Sequence, residues 1–286
     1  MSFGPNPWQQ TSWDWRAAGN FMCGGAGAGF LIAWALLPKP GAMTGPGLSW
    51  SLLVGLGLIG LGLLCVWLEI GRPLRALHVF FNPRTSWMSR EAFVALFLFP
   101  TGLLAMLGLN GWIGPMAVLA VAFLYCQSRM LQAARGIPAW RSRLLPSLIF
   151  VTGLCEGCGG LIFLGLFYGQ VTNLLMLAFT ATVLARFAIW TLYRTSVNAS
   201  LAARACVALD RAGRWLLLAG VLAPLALLGI GAGLATGAIQ SLLVAAAGAC
   251  ASCAGAYLKY TLVTRASFNQ GFALLKIPVR GVRDAR

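Results

Sequence analysis

The richest chemistry in this chain lies in one short stretch, Gly71–Ala92, which reads GRPLRALHVFFNPRTSWMSREA. It holds Arg72, Arg75, Arg84, Arg90, Glu91 and the chain's only histidine, His78, and Glu69 stands just before it. An imidazole exchanges protons near neutral pH. Guanidinium groups donate hydrogen bonds, and carboxylates accept protons or hydrogen bonds. With apolar runs on both sides, this set matches the needs of a quinone headgroup: a donor to its carbonyl oxygen, a proton-exchanging group, and an oily surround for its tail. A plain interfacial belt accounts for Trp87 and the arginines. It does not account for His78 between two carboxylates, since neither residue type anchors a helix in lipid. Within TSWMSRE, Ser86 or Ser89 is placed to cap a helix whose first turns include Glu91.

The elements that position this stretch are membrane spans. The 286 residues are 59% hydrophobic and 9% charged, with a mean hydropathy of +0.81, whereas soluble domains carry about 25% charged residues. A span needs roughly 20 apolar residues. Eight segments qualify: Ala17–Leu37, Ser49–Ile70, Ala92–Leu109, Ile113–Leu131, Leu145–Tyr168, Leu174–Leu192, Trp215–Ala235 and Ile239–Val263. The expected fold is therefore all-α, a single polytopic membrane domain of eight helices with a basic tail at Thr264–Arg286. The polar, Trp-rich start has no signal-peptide pattern, so the N-terminus is expected to be retained. Glycines inside the apolar runs, as in CGGAGAGF (Cys23–Phe30), favour close helix packing.

Positive charge is one-sided. Lys39 alone falls on one face, Arg186 and Lys259 fall within spans, and every other Lys and Arg lies on the opposite face or in the tails. The positive-inside rule then explains the net charge of +15 without nucleic acid, and places both termini in the cytoplasm. Tyr193–Arg214 is helix-compatible and is expected along the interface; the tail, with Gly271 and Pro278, is expected to be extended against a partner.

Within the spans, one histidine at the membrane edge leaves no pair of axial imidazoles for a transmembrane haem. The two CxxC pairs, Cys155/Cys158 and Cys250/Cys253, sit in apolar helices where cysteine packs as a small hydrophobe, so no metal is expected. Glu156 and Arg186 are equally far from the turn between their helices. They are expected to face one another as a buried pair, either locking two helices or serving a proton path. Lys259 is expected to snorkel to the basic face.

LEIGRPLRALHVFFNPRTSWMSREA (Leu68–Ala92), followed by QSRMLQAARGIPAWRSRLLPSLIFVTGL (Gln127–Leu154), resembles membrane subunits of the NrfD/PsrC/DmsC superfamily, and the DmsC-like branch above all. The resemblance extends through the eight-span layout over nearly the whole chain. It implies a haem-free anchor that binds a quinone, menaquinone or ubiquinone, in a bacterial or archaeal cytoplasmic membrane. It also implies an anaerobic-respiration complex in which a four-cluster ferredoxin-like iron–sulfur subunit serves a molybdenum or tungsten bis-pterin catalytic subunit. Carried over, His78 resembles the quinone-linked histidine and Glu91 its acidic neighbour. Tyr125, Gln127 and Arg129 fall where relatives line the quinone pocket, with Trp87 beside them. Asn20 is a further match, although Gly24 replaces a histidine of some relatives. The tail segment RASFNQGFALLKIPVRG (Arg265–Gly281) is similar to the membrane subunit of phenylacetyl-CoA:acceptor oxidoreductases.

This expectation makes the chain one subunit of a quinone-linked oxidoreductase, with proton exchange at His78 or a neighbouring carboxylate. Arg72, Arg75, Arg84, Arg90, Arg141 and Arg143 are the expected docking face. Two other classes compete with it. One is a secondary transporter with Glu156 and Arg186 at its midplane; the other is a membrane anchor with no quinone site.

Overall fold

A computed structural model describes residues 7–37, 39, 45–70, 73–168, 171–233 and 237–271. Eight helices in it are long and apolar enough to cross a membrane. They are α1 (Trp15–Leu36), α2 (Trp50–Glu69), α3 (Trp87–Met106), α4 (Asn110–Ala133), α5 (Leu145–Tyr168), α6 (Asn173–Ser200), α7 (Ala203–Gly231) and α8 (Gly237–Arg265). Among the described residues the only β pairing is an isolated bridge, Gln9 with Phe268. That bridge, together with Gln10 N to Ser267 O at 3.0 Å, ties the segment before α1 to the end of α8. The segments that enter α1 and leave α8 thus meet on one face, as an even number of crossings requires. Ser86 caps α3 by accepting from Ser89 N, which settles the choice between the two serines.

The expected spans and the observed helices agree in number and place but not in every length. Tyr193–Arg214 is not a separate interfacial piece. Its first part completes α6, and from Ala203 onward it is the beginning of α7, which runs through into the seventh span. Ala205, Leu209, Ala212 and Leu216 recur every three to four residues and are buried against the bundle, so α7 is amphipathic before it becomes apolar all round.

Helices α1 and α5 are the most enclosed, with 67% of each apolar window buried, and they form the centre of the molecule. α5 packs on α1 on one side and on α8 on the other, with α2, α3 and α4 outside the first contact and α6 and α7 outside the second. Glycine makes both central contacts possible. A Cβ on Gly29 would strike the Gly153 carbonyl, and one on Gly157 would strike Gly29 itself. Across the other contact, Gly159 and Gly248 meet in the same way. In lipid there is no hydrophobic force between helices, so this close backbone approach supplies the packing.

Two apolar cores result. One, around Phe30, Leu56, Phe123, Leu161 and Phe179, fills the half away from the basic face. The other, around Phe21, Trp140, Tyr193, Leu209 and Leu258, fills the half beneath it. Three helices widen into π turns, at Asn20–Gly24, Leu218–Leu222 and Thr261–Arg265. Each such turn offers a carbonyl to a buried side chain of another element. Asn20 O accepts from Gln127 Nε2, Gly220 O from Arg186 Nη2, and Leu262 O from Trp140 Nε1, all at 2.9 Å. π turns often mark functional places in helices.

Gly157→Leu is expected to destabilise the bundle by at least about 3 kcal/mol, because the clash is with backbone rather than with a movable side chain. Gly57→Leu, on an open face with nothing within 4 Å, is expected to be neutral. Thermal unfolding in detergent, followed by size-exclusion, compares the two.

Candidate functional site

At the basic end of α1, α2, α3 and α4 lies a pocket of about 240 Å³. Trp13, Ala17, Phe21, Val66, Ile70, Met88 and Met130 give it apolar walls, and Asn20 and Glu69 are its polar side chains. An ion pair between Arg16 and Asp14, at 2.8 Å, stands beside Glu69 at the rim and holds the Asp14 carboxyl below the usual carboxylate range. Arg16 also donates to Leu68 O at 2.8 Å, which fixes the end of α2 against the start of α1.

Behind the pocket is a closed polar network. Asn20, Glu91 and Gln127, from α1, α3 and α4, are each at most 2% exposed. Asn20 Nδ2 donates to Glu91 at 3.3 Å and 3.4 Å, and Gln127 Nε2 donates to Glu91 Oε1 at 3.3 Å. Gln127 Nε2 also reaches Asn20 O in the π turn. Room for these amides comes from Gly24, whose Cβ would stand 2.7 Å from Gln127 Nε2. Among the described residues Glu91 has no ion-pair partner. It is therefore a carboxyl group held only by neutral amides, in a setting where charge is costly. Asn20 Oδ1 and Gln127 Oε1 are buried with no partner among the described residues.

The structure brings together Asn20, Glu91 and Gln127 from the expected set, and adds Glu69, Trp13, Met88 and Met130. It does not bring His78 to them. His78 is exposed on the short helix Pro73–Phe81, edge-on to Phe81 at 5.4 Å, and does not line the pocket. Tyr125 is 48% exposed and packs edge-on against Trp87 at 5.7 Å. Trp87 is also covered by Arg90 and Arg129, whose guanidinium carbons lie 4.2 Å and 5.4 Å from its ring. Trp87 and Arg129 then line a separate groove of about 670 Å³ with Gln132, Ala133, Arg135, Arg141 and Arg143. Arg90 ties its own loop by donating to Pro83 O and Arg84 O. Arg72 and the side chain of Arg75 lie outside the described residues, as does the tail from residue 272. Glu69 carried a signal in the sequence, an ionisable residue in the last turn of an apolar span. The apolar walls carried none, because they look like any other span residues.

The deeper charges pair differently from expectation. Glu156 Oε2 accepts from Lys259 Nζ at 2.5 Å, with both side chains 1% exposed. Lys259 therefore does not snorkel; it turns inward, because α8 packs directly on α5 and brings the ammonium to the carboxylate. Arg186 is fully buried and donates to Ala251 O at 2.8 Å and Gly220 O. It is a neighbour of Glu156 rather than its salt-bridge partner: the place of a Gly255 Cβ lies 2.6 Å from Glu156 Oε1 and 2.9 Å from Arg186 Nη1. The hairpin register put these two at the right depth, but a third helix supplies the closest cation.

Chemically, the pocket offers the Asn20 amide and the Glu69 carboxylate within apolar walls, and a buried carboxyl group, Glu91, one hydrogen bond further in. Among the described residues no group of three or more His, Cys, Asp or Glu stands close enough to hold a metal ion. No family model matches the chain, and no curated protein matches it.

Lys259→Leu is expected to destabilise the protein by about 3–5 kcal/mol, since it leaves the Glu156 carboxylate buried and unpaired. The double change Glu156→Leu with Lys259→Leu is expected to recover most of that loss. A double-mutant cycle read by reversible denaturation in bicelles gives both numbers.

Proposed function

We propose that this chain is the haem-free, quinone-binding membrane subunit of a multi-subunit oxidoreductase of the NrfD/PsrC/DmsC kind. The observation that carries the proposal is the pocket of Trp13, Asn20, Glu69, Met88 and Met130 at the membrane edge, backed by Glu91. Its polar atoms fit the group. Asn20 Nδ2 is committed to Glu91, its Oδ1 is a buried acceptor with no partner among the described residues, and the Glu69 carboxylate, a second acceptor, lines the pocket. Two acceptors in apolar walls suit the hydroxyls of a reduced quinone ring.

When bound, a quinone supplies two-electron, two-proton carrier chemistry. The chain's part is to bind and orient the ring between α1 and α2, to exclude water with Phe21, Val66 and the two methionines, and to take or give protons at Glu69 and Glu91. His78, outside the pocket, is assigned no contact with the ring. The metals and the substrate site belong, in this proposal, to an iron–sulfur subunit and a molybdenum or tungsten subunit. The groove of Arg129, Arg135, Arg141 and Arg143 has no acidic residue in its lining among the described residues, and it favours an acidic partner surface, since complementary charge sets register and association rate.

Binding is tested with the full chain in nanodiscs, titrated with a fluorescent hydroxyquinoline N-oxide as quinone analogue. Asn20→Leu and Glu69→Gln are each expected to weaken it by about tenfold or more, the equivalent of one lost hydrogen bond to a buried group, while His78→Leu leaves it unchanged. Unaltered affinity in both pocket variants overturns the assignment. In the assembled complex, Arg141→Glu with Arg143→Glu is expected to abolish co-purification of the iron–sulfur subunit and leave analogue binding intact.

A further inference from the structure

The first turns of α7 carry two stripes of residues. Ala205, Leu209, Ala212 and Leu216 are buried against the bundle. Arg204, Val207, Ala208 and Arg211, at helical spacings of three and four, form a second stripe on another face. This second stripe meets Tyr257 and Arg265 of α8 and makes a groove of about 380 Å³, within the usual size range of ligand sites. Three guanidinium groups from two helices therefore share one crevice, and Tyr257 adds a hydroxyl donor. Arg265 also lies against the ring of Tyr260, with its guanidinium carbon 5.4 Å from the ring centre.

The chain supplies no anion of its own to this groove. It has six acidic residues against 21 lysines and arginines. Asp14, Glu156 and Asp210 are paired with Arg16, Lys259 and Arg194. Glu69 lines the pocket of α1 and α2, and Glu91 stands behind it. Asp284 lies outside the described residues, in a tail segment that also carries Lys276, Arg280, Arg283 and Arg286 and so brings no net negative charge. Among the described residues, Arg204, Arg211 and Arg265 make no ion pair. Like charges gathered in one groove repel one another, so the arrangement calls for an anion from outside.

Depth identifies the source of that anion. Arg186 donates to the carbonyls of Gly220 in α7 and Ala251 in α8, which sets these two positions level. Ala251 is the middle residue of α8, and Glu156 and Arg186 stand at the middle of α5 and α6, so this level is the centre of the bundle. Arg211 is nine residues from Gly220 and Arg265 fourteen from Ala251, about 14 Å and 20 Å toward the basic face at helical rise. Half the hydrocarbon thickness is about 15 Å. The two arginines thus stand at the level of lipid headgroups. The groove continues down to Tyr257, about 9 Å from the centre, where lipid reaches and a soluble partner does not. Below Arg211, at the next positions of the same face, Trp215 and Leu218 are 54% and 55% exposed. A belt of interfacial arginines would explain cations at this depth. It would not explain their convergence from two helices on one acid-free groove above an apolar strip.

We propose that the groove between α7 and α8 is a specific site for an anionic phospholipid of the leaflet at the basic face. Arg204, Arg211 and Arg265 hold the phosphate with paired, charge-assisted hydrogen bonds, as basic recesses between membrane helices do, and an acyl chain runs along Trp215 and Leu218. The site is separate from the quinone pocket and from the groove proposed for partner docking, and it stands whether or not those assignments hold.

The test uses the full chain in mixed micelles of phosphatidylglycerol and phosphatidylcholine with matched acyl chains, with bound lipids counted by native mass spectrometry. The wild type is expected to retain one phosphatidylglycerol with a preference of about tenfold or more, the scale set by hydrogen bonds to a charged group. Arg211→Gln with Arg265→Gln is expected to remove that preference. Arg214→Gln, on the same helix but lining a different groove with Asp210, is expected to keep it. All three arginines are exposed, so the variants keep their fold, as thermal unfolding checks. Excess glycerol 3-phosphate is expected not to displace the lipid. A wild type without the preference overturns the proposal in favour of an acidic protein surface, and displacement by glycerol 3-phosphate overturns it in favour of a soluble phosphate. An unchanged preference in the double variant, or an equal loss in Arg214→Gln, overturns it as well. Because no quinone and no partner subunit are present, each result is independent of the analogue titration and of co-purification.

Discussion

The buried contact between Glu156 and Lys259 fixes much of the rest of this molecule. A charged side chain near the centre of a bilayer costs at least about 2.5–3.5 kcal/mol even on the most lenient scale, so neither residue is tolerable alone. Together they commit α5 and α8 to one register. That register requires glycine at Gly159 and Gly248 for the backbones to approach. It also brings Arg186 to the same depth, held by carbonyls of α7 and α8.

From this pair outward, the structure alternates between dry packing and polar contacts that cross helices. In hydrocarbon a polar group must find its partner within the protein. The three π turns meet that requirement by supplying carbonyls to Gln127, Arg186 and Trp140. A regular α-helix would keep those carbonyls for itself. The polar layer is thus paired with local departures from ideal helix, on elements that are otherwise well packed.

The pocket and the polar layer share Asn20 and Glu91, and this sharing gives the proposed function its physical sense. A proton-coupled carrier bound at a membrane edge needs both an oily site and a buried group able to hold a proton. Here the oily walls come from α1, α2, α3 and α4, and the Glu91 carboxyl stands one hydrogen bond behind Asn20. Arg129, Arg135, Arg141 and Arg143 line the open groove at the basic end, where water reaches them and where their charge carries little penalty.

Sequence alone determined the all-α class, the eight crossings, the basic face and a serine cap at Ser86 or Ser89, because each rests on local composition or on spacing along one helix. It also marked Glu91, Asn20, Glu156 and Arg186, since ionisable or amide groups in apolar runs stand out. It did not determine who meets whom. Lys259 lies more than one hundred residues from Glu156, and nothing in either segment encodes that α8 lies against α5. His78 looked central because it is unique and flanked by acids, yet the fold of Pro73–Phe81 leaves it outside the pocket. Gly25 and Gly255 gain meaning only when polar side chains of other helices pack directly against them. Partner choice, depth and enclosure are properties of packing between distant helices, and only the tertiary structure decided them.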